Sequence, residues 1–255
     1  MSGTLWINGR FRPLESPLIP AAHPLTLHGV GVFETLRLVA GRAPLLERHL
    51  DRARRSCAEL EIKMRAADWP QVLDQLARRN RLRSGVARIT WSHDLCFATL
   101  RRLPRDPSAG LTLPVRNLVR PEPGIKSTSW LDLWQAEQSC GGEVALVGQR
   151  GQLLETSRAN VFVVTAEGLR TARANRVLPG ICRDLVLEFA RDEKIPLHQQ
   201  APRLRDWEDW LACFACNAVR GIRPVARLAE IELPNAAEEP LVQALQGAFA
   251  DALRR

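Results

Sequence analysis

At 255 residues and 45% hydrophobic, the chain is long enough to bury a substantial core, and its length suits two domains of about 100–150 residues. It holds no run near the roughly 18 apolar residues that span a bilayer and no basic start followed by an apolar stretch, so a soluble, cytoplasmic protein without a membrane partner is expected. The formal charge of +8 comes from arginines spread along the chain and interleaved with acids, with 5% aromatic residues and no tyrosine; lacking a basic arm or stacking aromatics, this pattern speaks against nucleic acid and suits small anionic ligands.

Leu5-Trp6-Ile7-Asn8-Gly9-Arg10-Phe11 predicts two short strands around an Asn-Gly turn. Gly29 and Gly31 precede an alternating segment through Leu38 that predicts a strand, with Glu34 and Arg37 on opposite faces. A helix is expected over Leu46 to Leu60, with Leu46, Leu50, Ala53, Cys57 and Leu60 as its apolar stripe; Arg48, Arg52, Arg54 and Arg55 fall off that stripe and read as a solvated face. Another helix covers Trp69 to Arg79, Ala87 to Trp91 returns to strand, and Leu111 to Val115 is a further strand.

Beyond proline-punctuated Pro114 to Pro123, strands are expected at Glu143 to Val147, Leu153 to Glu155, Val161 to Val164 and Trp210 to Cys216, with helices at Cys182 to Glu193 and Glu239 to Arg254. The six cysteines, Cys57, Cys96, Cys140, Cys182, Cys213 and Cys216, read as reduced core thiols. Cys213-Phe-Ala-Cys216 fits a buried strand better than half a metal site, because no second pair or close histidine completes a ligand set, and no metal is expected.

Only three lysines occur, Lys63, Lys126 and Lys194, and an amine that switches between nucleophile and cation must be one of them, since arginine keeps its proton. Lys63 and Lys194 lie in charged surface contexts. Lys126 stands between the proline-rich connection and an apolar stripe of Trp130, Leu131, Leu133 and Trp134 expected to pack; it reads either as a buried amine or as an ordinary helix-start lysine.

Five stretches in order, Gly31-Val-Phe-Glu-Thr-Leu-Arg37, His49-Leu-Asp-Arg52, Ile125-Lys126-Ser-Thr-Ser, Glu155-Thr-Ser-Arg-Ala-Asn-Val-Phe162 and Leu178-Pro-Gly-Ile-Cys-Arg-Asp184, resemble the fold-type IV pyridoxal-phosphate enzymes. This is the class IV aminotransferase family, which includes branched-chain and D-amino-acid aminotransferases and 4-amino-4-deoxychorismate lyase. The resemblance spans nearly the whole chain and implies an α+β fold in two domains: a smaller N-terminal α/β sandwich (1–113), a linker (114–123) and a larger β-barrel-like cofactor domain with helices (124–255). It implies pyridoxal 5′-phosphate carried on Lys126, its phosphate held by Arg52 and by the backbone N–H groups of Ile181 and Cys182, its pyridine nitrogen faced by Glu155 and its ring packed on Leu178. It also implies a homodimer.

These residue types suit the chemistry. A helix N-terminus with an arginine binds phosphate, a carboxylate on the pyridine nitrogen strengthens the ring as an electron sink, and a released lysine moves protons. The compact length, Ala218 where branched-chain enzymes carry a phosphate-binding threonine, and the Cys216 to Val225 segment make the lyase the nearest member. A class IV aminotransferase is the alternative, and a non-catalytic binding protein of this fold a second one. His28, Arg37 and Arg88 are placed around a small anionic amine substrate. Ser92 to Arg102 departs from the family's Arg-Gly-rich loop, with His93 as a plain loop histidine.

Overall fold

The computed structural model describes residues 3–16, 19–104 and 110–254. The chain packs as two compact units: the described residues up to 104 with Ile125–Trp130 and 253–254, and residues 110–124 with 131–252.

In the first unit, strands β1 (Thr4–Ile7) and β2 (Arg10–Pro13) form a hairpin. Its two turn residues, Asn8 and Gly9, have φ of 46° and 91°, the left-handed pair that a type I′ turn requires and that Asn-Gly supplies at low cost. A short helix α1 (Pro24–His28) precedes β3 (Val32–Leu38), helices α2 (Leu46–Glu59) and α3 (Trp69–Arg79), and strands β4 (Gly85–Ser92) and β5 (Leu95–Arg101). The sheet runs β2-β1-β5-β4-β3, antiparallel throughout. Alternation on β3 sends Val32, Leu36 and Leu38 into a core with Leu46, Leu50, Ala53 and Cys57 of α2 and Leu73 and Leu76 of α3, which leaves Phe33, Thr35 and Arg37 on the other face. Trp69 of α3 meets Trp6 and Trp91 edge-on at 5.2 and 5.6 Å. Ser92 to Arg102, expected as a loop, is instead a two-residue turn and a strand: Ser92 pairs with Leu95, and His93 turns the chain with φ 43°. The turn lacks glycine, so nothing in its composition announced it.

The second unit is a ten-stranded sheet. Its strands are β6 (Leu111–Leu113), β7 (Val115–Asn117), β8 (Ala145–Val147), β9 (Leu153–Thr156), β10 (Asn160–Thr165), β11 (Gly168–Thr171), β12 (Leu197–His198), β13 (Trp210–Asn217), β14 (Gly221–Leu228) and β15 (Ile231–Glu232). The path runs β14-β13-β10-β9-β8-β7, and β6 pairs parallel to β14 while the next strand, β7, pairs parallel to β8. The sheet therefore returns on itself at Pro114. That residue has no N–H to give, but its carbonyl accepts from Ala145 N at 2.8 Å, and a near-closed barrel results. Ala145, Val147, Leu153, Val161, Val163, Cys213, Ala215 and Val225 form its core. Helices α4 (Leu131–Cys140), α5 (Ile181–Asp192) and α6 (Pro240–Ala252) complete the unit.

The division differs from the expected one in two places. Strand β6, placed in the first domain, and Val115–Asn117, placed in the linker, both pair within the second sheet. Conversely, Ile125–Trp130 packs with the first unit, because Phe33 N donates to Lys126 O at 2.9 Å and Thr128 N to Gly31 O at 2.8 Å, extending the sheet beside β3. Of the apolar stripe expected after Lys126, Leu133 is buried, whereas Leu131 and Trp134 are exposed. All six cysteines are free thiols, five of them buried; Cys213 and Cys216 lie on β13 opposite Val163 and Asn160. Among the described residues no helix is long and apolar enough to cross a membrane.

Candidate active site

The first unit gathers cations around one aromatic ring. Lys126 is fixed in backbone by its carbonyl bond from Phe33 and by its own N–H, which donates to the buried Ser56 Oγ at 3.4 Å. Its Nζ stands 4.7 Å from the Phe33 ring centroid, and the Arg88 guanidinium lies 3.5 Å from that same centroid; Trp130 stacks on Phe33 at 5.8 Å. Arg88 is brought there by register: it pairs with Thr35 across β3 and β4, so it shares the face of Phe33 and Arg37. Burial, with the charge of Arg101 adding to it, lowers the Arg88 pKa to about 10. Lys63 and Lys194 are both exposed, which leaves Lys126 as the half-buried lysine of the chain. His28 is exposed at the end of α1.

Behind β3 lies a second cluster. Arg52, expected on a solvated helix face, is 4% exposed. Its Nε donates to Glu34 Oε1 at 2.7 Å and its Nη2 to Glu34 Oε2 at 2.6 Å, while His49 Nδ1 donates to Oε2 at 2.6 Å. The solvated reading failed because α2 buries a face wider than its apolar stripe: His49, Arg52 and Ser56, at helical spacing, are all buried. Burial alone would raise the Glu34 pKa, but the Arg52 charge and the bonds from Arg52 and His49 outweigh it and hold the carboxyl at about 2. Burial depresses His49, against the pull of Glu34, so its ring is neutral with the proton on Nδ1. His49 Nε2 is buried without a hydrogen-bond partner among the described residues.

In the second unit Glu155, at the end of β9, is 2% exposed. Arg120 Nε donates to its Oε1 at 2.9 Å and Leu178 N to its Oε2 at 3.3 Å. The turn that follows is braced by charge. Ser157 Oγ and Arg158 Nε each donate to Glu137 Oε1 at 2.6 Å, Thr156 Oγ1 donates to Glu143 at 2.6 Å, and Arg223 grips Glu143 with two bonds of 3.0 Å. Desolvation would raise the Glu143 carboxyl, but Arg223 holds it below the usual range.

Ile181 and Cys182 open α5 beside Leu178, all three buried. Among the described residues no side chain caps this helix, and a buried helix N-terminus without a capping side chain suits an anion. The approach is shaped by Gly180, where a Cβ would lie 2.0 Å from Asn160 Oδ1; Asn160 Nδ2 in turn donates to Leu178 O at 2.8 Å. Burial pushes the Cys182 thiol up, with Cys216 adding to it. Among the described residues no cluster of His, Cys, Asp and Glu could hold a metal ion.

Phe33, Glu34, His49 and Arg120 were not picked out as site residues from sequence. An acid at a core-facing position of a strand, between Val32 and Leu36, is the signal that could have found Glu34; nothing local marks Arg120.

Residues 31–228 match the profile of class IV amino-transferases, and the chain belongs to that family. A relative in Rickettsia bellii named "probable branched-chain-amino-acid aminotransferase" is 25% identical over 238 residues, covering 82% of this chain and 81% of the relative. The aminodeoxychorismate lyase of Bacillus subtilis is 26% identical over 217 residues, covering 74% of each. The fold is shared with a hypothetical aminotransferase from Mycobacterium tuberculosis solved in a PLP-bound form, at a TM-score of 0.81 and 20% identity, covering 98% of this chain and 99% of that one.

Proposed function

We propose that this chain is a pyridoxal-phosphate enzyme acting on a small anionic amine, and that its reaction is release of pyruvate and p-aminobenzoate from 4-amino-4-deoxychorismate. The observation that carries the reading is the half-buried Lys126 amine over the Phe33 ring that also carries Arg88. That ring sets a reactive amine and a fixed positive charge on one apolar surface, as a flat substrate bearing carboxylates requires. The donor set fits the cofactor. In the first unit Lys126 can carry its carbonyl carbon and Arg52 is a buried cation suited to a phosphate; in the second, the start of α5 suits a phosphate and Glu155 is a buried carboxylate for a ring nitrogen.

When bound, the cofactor supplies the electron sink that weakens bonds at the carbon bearing the substrate amine. Arg88, with Arg37 on the same face of the sheet, orients the substrate carboxylates by charge-assisted hydrogen bonds. Lys126 Nζ accepts the proton from the amine-bearing carbon; the ring carbon–oxygen bond to the enolpyruvyl side chain then breaks, the ring becomes aromatic, and the departing enolate takes a proton back from the lysine to leave as pyruvate. Glu155, held by Arg120 and Leu178 N, would accept the hydrogen bond of the cofactor's ring nitrogen. Leu178 would pack on the ring, and His28 would be a peripheral substrate contact. A homodimer acting in the cytoplasm on the route to folate completes the reading.

Two features support the lyase: Ala218, buried where a hydroxyl would serve phosphate in branched-chain enzymes, and the similarity to the Bacillus subtilis lyase. Similarity to the Rickettsia bellii protein supports an amino-acid aminotransferase as the second reading. Incubation with aminodeoxychorismate beside a panel of L- and D-amino acids separates them. The lyase gives p-aminobenzoate and pyruvate; conversion of the cofactor to its pyridoxamine form by an amino acid, with no p-aminobenzoate, selects the aminotransferase.

A further inference from the structure

We propose that Glu34, seconded by His49, is the positioning residue that aims Arg52 and thereby sets how tightly the chain holds the phosphate end of its cofactor. The inference rests on the reading above in which Arg52 meets that phosphate; what it adds is the device that makes a long, flexible side chain fit for the task. An arginine side chain is long and rich in rotamers, and one that must be ordered at each binding event gives up that freedom each time.

Here the ordering is done in advance. Glu34 accepts from both Nε and Nη2 of Arg52, at 2.7 and 2.6 Å. Because a guanidinium is planar and rigid, pinning that edge also fixes the direction of the Nη1 edge. His49 Nδ1, at 2.6 Å from Glu34 Oε2, holds the carboxylate from a second side, so the carboxylate cannot swing with the arginine. All three side chains are at most 4% exposed. The tautomer that serves Glu34 leaves His49 Nε2 as a buried acceptor with no partner among the described residues, a cost the site bears to keep the proton on Nδ1.

Stability alone does not account for this arrangement. Glu34 occupies the core face of β3, between Val32 and Leu36, against an α2 that otherwise offers Leu46, Leu50 and Ala53. Apolar side chains of similar volume there would pack at least as well, since replacing a buried ion network by well-packed apolar residues is often neutral or stabilising. What apolar residues cannot supply is a guanidinium held in one plane.

The test uses the full-length chain freed of cofactor, and compares its affinity for pyridoxal phosphate with that for phosphate-free pyridoxal by absorbance titration. The ratio of the two dissociation constants isolates the phosphate contact, which a general loss of packing does not move selectively. In Glu34→Gln the ratio is expected to fall by about 10–100-fold, the size usual for loss of an outer-shell partner, with pyridoxal affinity unchanged. His49→Leu, which leaves the Glu34–Arg52 pair in place, should lower the ratio by several-fold. Arg52→Gln is the control for the underlying reading. If it leaves the ratio untouched, Arg52 is not the phosphate partner, and the reading falls together with the proposal. If Arg52→Gln collapses the ratio while Glu34→Gln and His49→Leu keep it, the reading stands and the positioning proposal is overturned. Where Glu34→Gln does not fold, His49→Leu decides: a reduced ratio upholds the proposal and an unchanged one overturns it.

Discussion

Two buried carboxylates, one in each unit, are each bound by an arginine, yet they are held in different ways. Glu34 takes two guanidinium bonds and an imidazole bond of 2.6–2.7 Å from side chains at most 4% exposed. Glu155 takes a guanidinium Nε at 2.9 Å from Arg120, whose side chain is 17% exposed, and a backbone N–H at 3.3 Å. Short contacts from fully buried partners commit a carboxylate to its neighbours; longer ones, from a less enclosed partner, suit a carboxylate that answers to a ligand. On the proposed reading, the difference separates a residue that positions another side chain from one that meets the cofactor.

On the proposed reading the amine of Lys126 is the proton carrier. Lys126→Ala should lower turnover by roughly 10²–10⁴-fold, the usual contribution of a positioned acid or base, with thermal stability nearly unchanged. Steady-state rates beside a melting curve check both halves. Glu155→Gln should reduce turnover by about 10²–10³-fold through loss of a preorganised charge while cofactor stays bound. A variant that turned over at the wild-type rate would return Glu155 to a structural role and erase the contrast with Glu34.

Glu34→Ala should show the opposite profile. Removing one partner of a buried charge pair costs about 3–5 kcal/mol, so denaturant unfolding should register it before any assay does. The same contacts give a pH signature. The Glu34 carboxyl is held at about 2 against an ordinary 4.5, so its contribution is fully present above pH 4.5 and is lost as pH falls towards 2; at 1.36 kcal/mol per unit it amounts to about 3 kcal/mol. His49, depressed from 6.5 by burial, acts in the same direction: the unfolded chain takes up its proton as pH falls below 6.5 while the folded chain resists. Acid unfolding of wild type should therefore steepen below pH 4.5, and Glu34→Gln should flatten that limb. Arg120→Gln is the smallest expected effect, a several-fold loss of kcat matching about 1 kcal/mol for one hydrogen bond, with the melting temperature little changed; a large drop in stability instead would make the Arg120 pair resemble that of Glu34.

Much of the fold was legible because its signals are local. Asn8-Gly9 announced its turn, and the periodicities of Leu46 to Leu60 and Trp69 to Arg79 announced α2 and α3 to within a residue or two. The strands of the barrel core could be read from short β-branched runs such as Val161 to Val164. What escaped depends on distant partners. Leu95 to Ala98 is a short apolar run of strand length, but His93-Asp94 lacks the glycine that marks most two-residue hairpin turns. Arg52 looked solvated since only Glu34, eighteen residues earlier, makes its burial affordable. Ile125–Trp130 joins the first unit through two backbone bonds to the start of β3, which no composition shift foretells. For the candidate site, Lys126 could be singled out because only three lysines occur, and Glu155 through the resemblance of its stretch to the family; the contacts of Glu34, His49 and Arg120 lie with residues distant in sequence, and only coordinates show which.

On the reading above, Lys126 carries the cofactor. Borohydride reduction of the cofactor-loaded protein makes a lysine linkage permanent, and peptide mapping then locates it among Lys63, Lys126 and Lys194. Label is expected on the peptide containing Lys126 alone, with none on that peptide after Lys126→Ala. Label on Lys63 or Lys194, or a loaded protein that takes no label, would contradict it.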